Sequence, residues 1–152
     1  MNFVHIPKTA GSSICAVIGD DWHEHRRASE TPEPRFAFVR HPLDRLVSAY
    51  QFMRGSTPEK LWRVADCSFR EFIERDHLFL RSQSWWLDED VQFIGRFERL
   101  HEDFTRISDK PLPHLQASRR RPWPEYFTDE TRAIAEHRYA EDFARFGYER
   151  VH

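Results

Sequence analysis

The chain has 152 residues, room for one domain (1–152) with a substantial core. Its formal net charge of −2 excludes a generally basic nucleic-acid binder, so any anion site must be assembled from local clusters of Lys and Arg. Hydrophobic residues make up 39% and aromatic residues 14%, so the thirteen Phe and five Trp must supply much of the buried area.

The most informative stretch comes first. Phe3, Val4 and Ile6 form a short apolar run suited to a buried strand, ended by Pro7, which cannot donate to a sheet ladder. Lys8, Thr9, Gly11, Ser12 and Ser13 crowd into a turn. Ile14, Cys15, Val17 and Ile18 then give the apolar face of a helix from about Ser12 to Ile18, stopping near Gly19. Strand, polar turn and helix is the arrangement that points free backbone N–H groups at an anion. Gly11 allows close approach, Lys8 adds a point charge, and the hydroxyls of Thr9, Ser12 and Ser13 add donors. It is not a Walker A loop, because there the Lys follows the second Gly, whereas Lys8 precedes Gly11. The plainer alternative is an ordinary capped helix start after an edge strand.

Asp20 to Pro34 is polar and reads as a surface connection containing Trp22 and the run His23-Glu24-His25-Arg26-Arg27. Two His at i, i+2 without a third ligand at helical spacing read as exposed loop residues, so no metal is expected. Phe36 to Val39 is a second apolar run, bounded by Pro34 and by His41-Pro42, and reads as a buried parallel strand. Arg40 follows at its C-terminal end, where ligands gather in open α/β sheets. Pro42 suits a first helical turn, and Leu43, Leu46, Val47, Tyr50 and Met53 recur at helical spacing. Ser48, on that helix, lies eight residues after Arg40.

Further on, Ser68 to Glu71 is a capping box opening a short helix. Leu78 to Leu87 has no clean period; Gln83, Trp85 and Trp86 suit either an acceptor cleft or core packing. Val91 to Ile94 reads as a third strand stopped by Gly95, followed by a helix from about Glu98 to Ile107 and a loop over Pro111 to Leu115. Thr128 caps a final helical region ending at Gly147, whose Tyr139, Phe143, Phe146 and Tyr148 are expected to seal the sheet. Cys15 and Cys67 stand apart with no CxxC, which suits small core residues in a reducing compartment. No basic-then-apolar leader precedes Phe3 and no apolar run approaches membrane length, so a soluble, cytoplasmic protein without a membrane span is expected.

His5 to Ser13 (HIPKTAGSS) and Phe38 to Tyr50 (FVRHPLDRLVSAY), with Val91 to Leu100, Leu112 to Leu115, Tyr126 to Glu130 and Tyr139 to Tyr148 in the same order, resemble the sulfotransferases that use 3′-phosphoadenosine-5′-phosphosulfate (PAPS). The likeness is to the carbohydrate (Golgi-type) branch with the heparan 2-O- and chondroitin enzymes. It implies a three-layer, P-loop-like α/β fold with a short parallel sheet flanked by helices. It also implies that Lys8, Thr9, Ala10, Gly11, Ser12 and Ser13 hold the 5′-phosphosulfate, and that Arg40 and Ser48 hold the 3′-phosphate. Arg119, within Ser118 to Arg121, would close over the nucleotide; read alone, three arginines also suit a solvated patch or a nucleic-acid contact.

Sulfuryl transfer needs a base for the acceptor hydroxyl and a stabiliser for the leaving bisphosphate. Lys8 and the loop N–H groups suit the second task. In the 2-O-sulfotransferase branch a His-x-His element supplies the base. By that resemblance His25 is the expected catalytic base, with His23 as substitute and Glu24 as a third candidate, while His5 and His41 orient backbone. The implied partners are the nucleotide donor and a hydroxyl acceptor on a sugar, with no nucleic acid; the Trp-rich segment leaves room for a dimer. Two other functions fit the residues less fully: a degenerate nucleotide binder of the same fold, and a P-loop kinase-like phosphotransferase.

Overall fold

The computed structural model describes residues 1–21, 23–54, 67–114 and 120–150. In chain order the elements are β1 (Asn2–Phe3), α1 (Gly11–Ile18), β2 (Arg35–Val39), α2 (Pro42–Arg54), α3 (Phe69–Phe72), α4 (Gln83–Trp86), β3 (Phe93–Arg96), α5 (Leu100–Phe104), α6 (Asp129–Arg138) and α7 (Ala140–Phe146). They fall into two compact units, residues 1–41 with 83–119 and residues 42–82 with 120–152. Among the described residues no helix is long and apolar enough to cross a membrane.

The first unit holds a parallel sheet in the order β1-β2-β3. All five residues of β2 are buried, as a central strand covered on both faces requires. β1 is short, but the Val4 N–H donates to the Phe36 carbonyl at 2.8 Å, so pairing runs on beyond Phe3. Phe3, Ile14, Cys15, Phe36, Phe38, Phe104 and Leu112 form the core here. Phe36 and Phe38 are almost wholly buried, each contributing about 1.5–3 kcal/mol of apolar burial. The Cys15 thiol is buried in the same core and free.

Gly95 does not stop β3, as its residue type suggests, but lies inside the strand opposite Phe38. A Cβ there would stand 2.4 Å from Phe38 Cε1, so the glycine makes room for the ring. The helix expected over 98–107 is a 3₁₀ turn (Phe97–Arg99) running into the short α5.

The second unit is helical. Leu43, Leu46, Ala49, Tyr50 and Met53 of α2 pack with Phe72, Ile73, Leu80, Ala135, Tyr139 and Phe143. Tyr139 and Phe143 fill the core built on α2, and the Tyr139 hydroxyl donates to the Leu80 carbonyl at 2.8 Å. Both capping sites form: the Glu71 N–H donates to Ser68 Oγ, and the Thr131 N–H to Thr128 Oγ1, each at 3.1 Å. Arg45 looks like a surface charge in the helical pattern but is buried. Its guanidinium donates to the carbonyls of Phe79 and Arg81 at 3.0 and 2.9 Å.

Gly95→Ala should cost about 1–3 kcal/mol through overpacking against Phe38. Chemical denaturation of wild type and variant measures this; an unchanged midpoint would show that the ring has other space.

Candidate functional site

The loop after β1 reverses the chain within a few residues. Lys8 and Ala10 both adopt left-handed conformations, with φ of 67° and 72°. For residues with a Cβ this costs about 1–2 kcal/mol each and persists only where neighbours impose it. Two braces do so. Thr9 Oγ1 donates to the Ile6 carbonyl at 2.9 Å, and Arg40 Nη1 donates to the Lys8 carbonyl at 3.3 Å. Left-handed residues in a turn that enters a helix gather N–H groups into an anion-binding concavity. Ala10, the N-cap of α1, supplies no capping side chain, which leaves the first-turn N–H groups of Gly11, Ser12 and Ser13 for an external acceptor. The single hydroxyl proton of Thr9, which is wholly buried, goes to Ile6, so its hydroxyl is not a donor to an anion.

Gly11 is required for a reason its sequence position does not reveal. A Cβ on it would lie 1.6 Å from His5 Nε2, so the helix start rests directly on the His5 ring. His5 is buried and stacks on Phe3 at 5.3 Å. Burial, then the proximity of His25 and of Lys8, push its imidazole down to about 3, against an upward pull from the Glu24 backbone. Its ring is therefore neutral at physiological pH.

His25 sits over the same ring, with centroids 4.2 Å apart, and edge-on to Trp86 at 6.1 Å. Its Nδ1 is 3.3 Å from the His5 carbonyl oxygen. A carbonyl only accepts, so this contact assigns a proton to Nδ1. His25 is half-buried. His23 is exposed, with its backbone N–H donating to Asp21 Oδ1 at 2.9 Å, and Glu24 is exposed and ion-paired with Arg26. Of the three candidates, the structure brings His25 to the loop's supporting strand end.

Arg40 is buried at the end of β2, and its guanidinium lies over the Phe97 ring at 3.8 Å. Gln83, wholly buried, accepts from the Arg40 N–H and donates to the Arg40 carbonyl, both at 2.8 Å. Of the two roles the sequence leaves open for Gln83 and Trp86, acceptor cleft or core packing, their burial fits packing, with Gln83 clamping the Arg40 backbone. The His41 N–H donates to Glu98 Oε1 at 2.7 Å. Phe97 was missed, its only signal being an aromatic after the third strand.

In the second unit Ser48 is half-buried on α2. Arg119 lies outside the described residues. Arg120 pairs with Asp44, Nη2 to Oδ1 at 2.5 Å, and the Arg121 guanidinium lies over the Tyr126 ring at 4.6 Å. A cleft beside β1 is lined by Phe3, His5, Cys15, Asp20, Asp21 and Glu24, among others; its three carboxylates make it unsuited to an anionic donor. Among the described residues no three of His, Cys, Asp and Glu converge as metal ligands.

The parallel sheet carries a donor-rich loop between its first strand and α1 and a buried Arg at the end of β2, an arrangement that suits a phosphorylated or sulfated ligand. A family model described as "Sulfotransferase family" matches residues 1–149, and the chain belongs to that family. Neither a curated protein nor a solved structure matches it.

Two outcomes follow from His5. Its folded-state pKa lies below the ordinary 6.5, so the unfolded chain binds the proton first as pH falls toward 3. Stability should therefore decline across that window, with a slope approaching about 1.4 kcal/mol per pH unit. His5→Gln should flatten the decline, as read from urea midpoints between about pH 7 and pH 4. Gly11→Ala should destabilise by about 1–3 kcal/mol, and combining it with His5→Ala should recover part of that loss; no recovery would mean that the clash is relieved elsewhere.

Proposed function

We propose that this sulfotransferase moves the sulfuryl group from PAPS to an acceptor hydroxyl on a carbohydrate, as in the Golgi-type branch, on a P-loop-like scaffold. The observation that carries the reading is one contact chain: Gly11 at the helix start rests on His5, and His5 carries His25. The anion loop and the candidate base therefore share a foundation.

The donor set suits a dianionic nucleotide carrying a sulfuryl group. Lys8 and the N–H groups of Thr9, Ala10, Gly11, Ser12 and Ser13 would hold the phosphosulfate end, with the hydroxyls of Ser12 and Ser13 as further donors. Arg40 and Ser48 would hold the 3′-phosphate, Arg40 with its backbone already clamped by Gln83, and Arg119 would close over the nucleotide. PAPS supplies an activated sulfuryl group whose bond to the 5′-phosphate oxygen breaks as the acceptor oxygen bonds to sulfur. His25 Nε2 takes the hydroxyl proton, while the imidazole stays oriented by the His5 carbonyl. Lys8 and the loop N–H groups stabilise the charge growing on the leaving 3′,5′-bisphosphoadenosine. His23 stands in only where His25 is absent.

Calorimetric titration of 3′,5′-bisphosphoadenosine into wild type, Lys8→Ala, Arg40→Ala and His25→Ala tests the nucleotide half. Arg40→Ala should weaken binding by about 10–100-fold, the scale of a charge-assisted contact, and His25→Ala should keep it. With desulfated heparan and chondroitin chains as acceptors, His25→Ala should lower turnover by about 10²–10⁴-fold. No binding to folded wild type would sink the reading; unimpaired turnover in His25→Ala would remove His25 alone.

A further inference from the structure

Three polar residues of α2 lie on one face. Asp44 and Ser48 are four residues apart, and Ser48 and Gln51 three, the spacing that aligns side chains along a helix. The two outer members of this stripe hold the same downstream segment. Asp44 Oδ1 accepts from Arg120 Nη2 at 2.5 Å, and Gln51 Nε2 donates to the Tyr126 hydroxyl at 2.9 Å. Both side chains of the ion pair are only 13% exposed, so solvent screens it weakly. Tyr126 in turn lies under the Arg121 guanidinium. The segment from Arg120 to Tyr126 is thus tied to α2 one turn before and one turn after Ser48.

We propose that Asp44 and Gln51 are positioning residues that clip this segment along α2 so that Arg120 joins Ser48 in holding the donor's 3′-phosphate. The inference rests on the reading of Ser48 given above and adds to it two residues that would not themselves touch the nucleotide. A carboxylate beside an anion site opposes binding unless it orients a cation. Asp44 does this by engaging one edge of the Arg120 guanidinium, whose remaining N–H groups can serve a phosphate. If the ion pair only stabilised the fold, its loss would weaken every nucleotide alike. If it positions Arg120, its loss is felt through the 3′-phosphate alone.

The test compares 3′,5′-bisphosphoadenosine with adenosine 5′-monophosphate, which lacks the 3′-phosphate, on wild type, Asp44→Asn, Gln51→Ala, Arg120→Ala and the Asp44→Asn/Arg120→Ala double variant. Wild type should prefer the bisphosphate. Asp44→Asn and Arg120→Ala should each reduce that preference about tenfold, with binding of the monophosphate unchanged and no further loss in the double variant. Gln51→Ala should act in the same direction more weakly, and it keeps the proposal open to test should Asp44→Asn fail to fold. Equal weakening of both ligands, or an unaltered preference, overturns the positioning role and leaves the nucleotide reading standing. A folded wild type that binds no bisphosphate overturns both.

Discussion

The contact between the His5 ring and the bare Cα of Gly11 is the constraint on which the rest of the first unit depends. It lets α1 begin against the end of the β1 run, closer than any side chain would allow. So close a start forces the chain to reverse between Pro7 and Ala10, and that reversal demands left-handed backbone at Lys8 and Ala10. The strain is held by Thr9 on Ile6 and by Arg40 on Lys8, contacts made within the protein. The loop's shape is accordingly set by contacts within the protein, so under the proposed function its donors would need little reorganisation to act on developing charge.

The same contact explains why a histidine at position 5 can sit beneath a cationic loop. A charged imidazole beside Lys8 would oppose that cation. Burial is the largest influence holding His5 neutral. An aromatic, uncharged surface beneath His25 supports that ring by stacking without competing for its proton. The carbonyl of the same residue meanwhile assigns a proton to Nδ1.

Much of this was legible locally. Apolar runs bounded by proline mark the β1 run and β2, Pro42 and the helical spacing after it mark α2, and the capping signatures at Ser68 and Thr128 formed as expected. What local pattern could not give were the partners of polar residues far along the chain. Gln83 clamps Arg40 across 43 positions, and Arg120 reaches Asp44 across 76. Gly95 misled because glycine usually breaks strands, whereas here the ring of Phe38 takes the space of a side chain. For the final helices, amphipathic periodicity shows that a face is buried but not against what; the partners of Tyr139 and Phe143 in the α2 core come from the fold.

The choice among His23, Glu24 and His25 shows how geometry completes a pattern. In sequence the two histidines of the His-x-His element are equivalent in type and differ only in order. In the fold His23 is exposed, and Glu24 is paired with Arg26. The His25 ring meets the His5 carbonyl at the strand end that carries the loop. Because its acceptor is main chain, no substitution at position 5 deletes it; only a shift of the strand end would. Under the proposed role, a base oriented in this way would need no long connection to support it. The short stretch between α1 and β2 has only to return His25 to His5, and the strand end that carries the loop would then position the base as well.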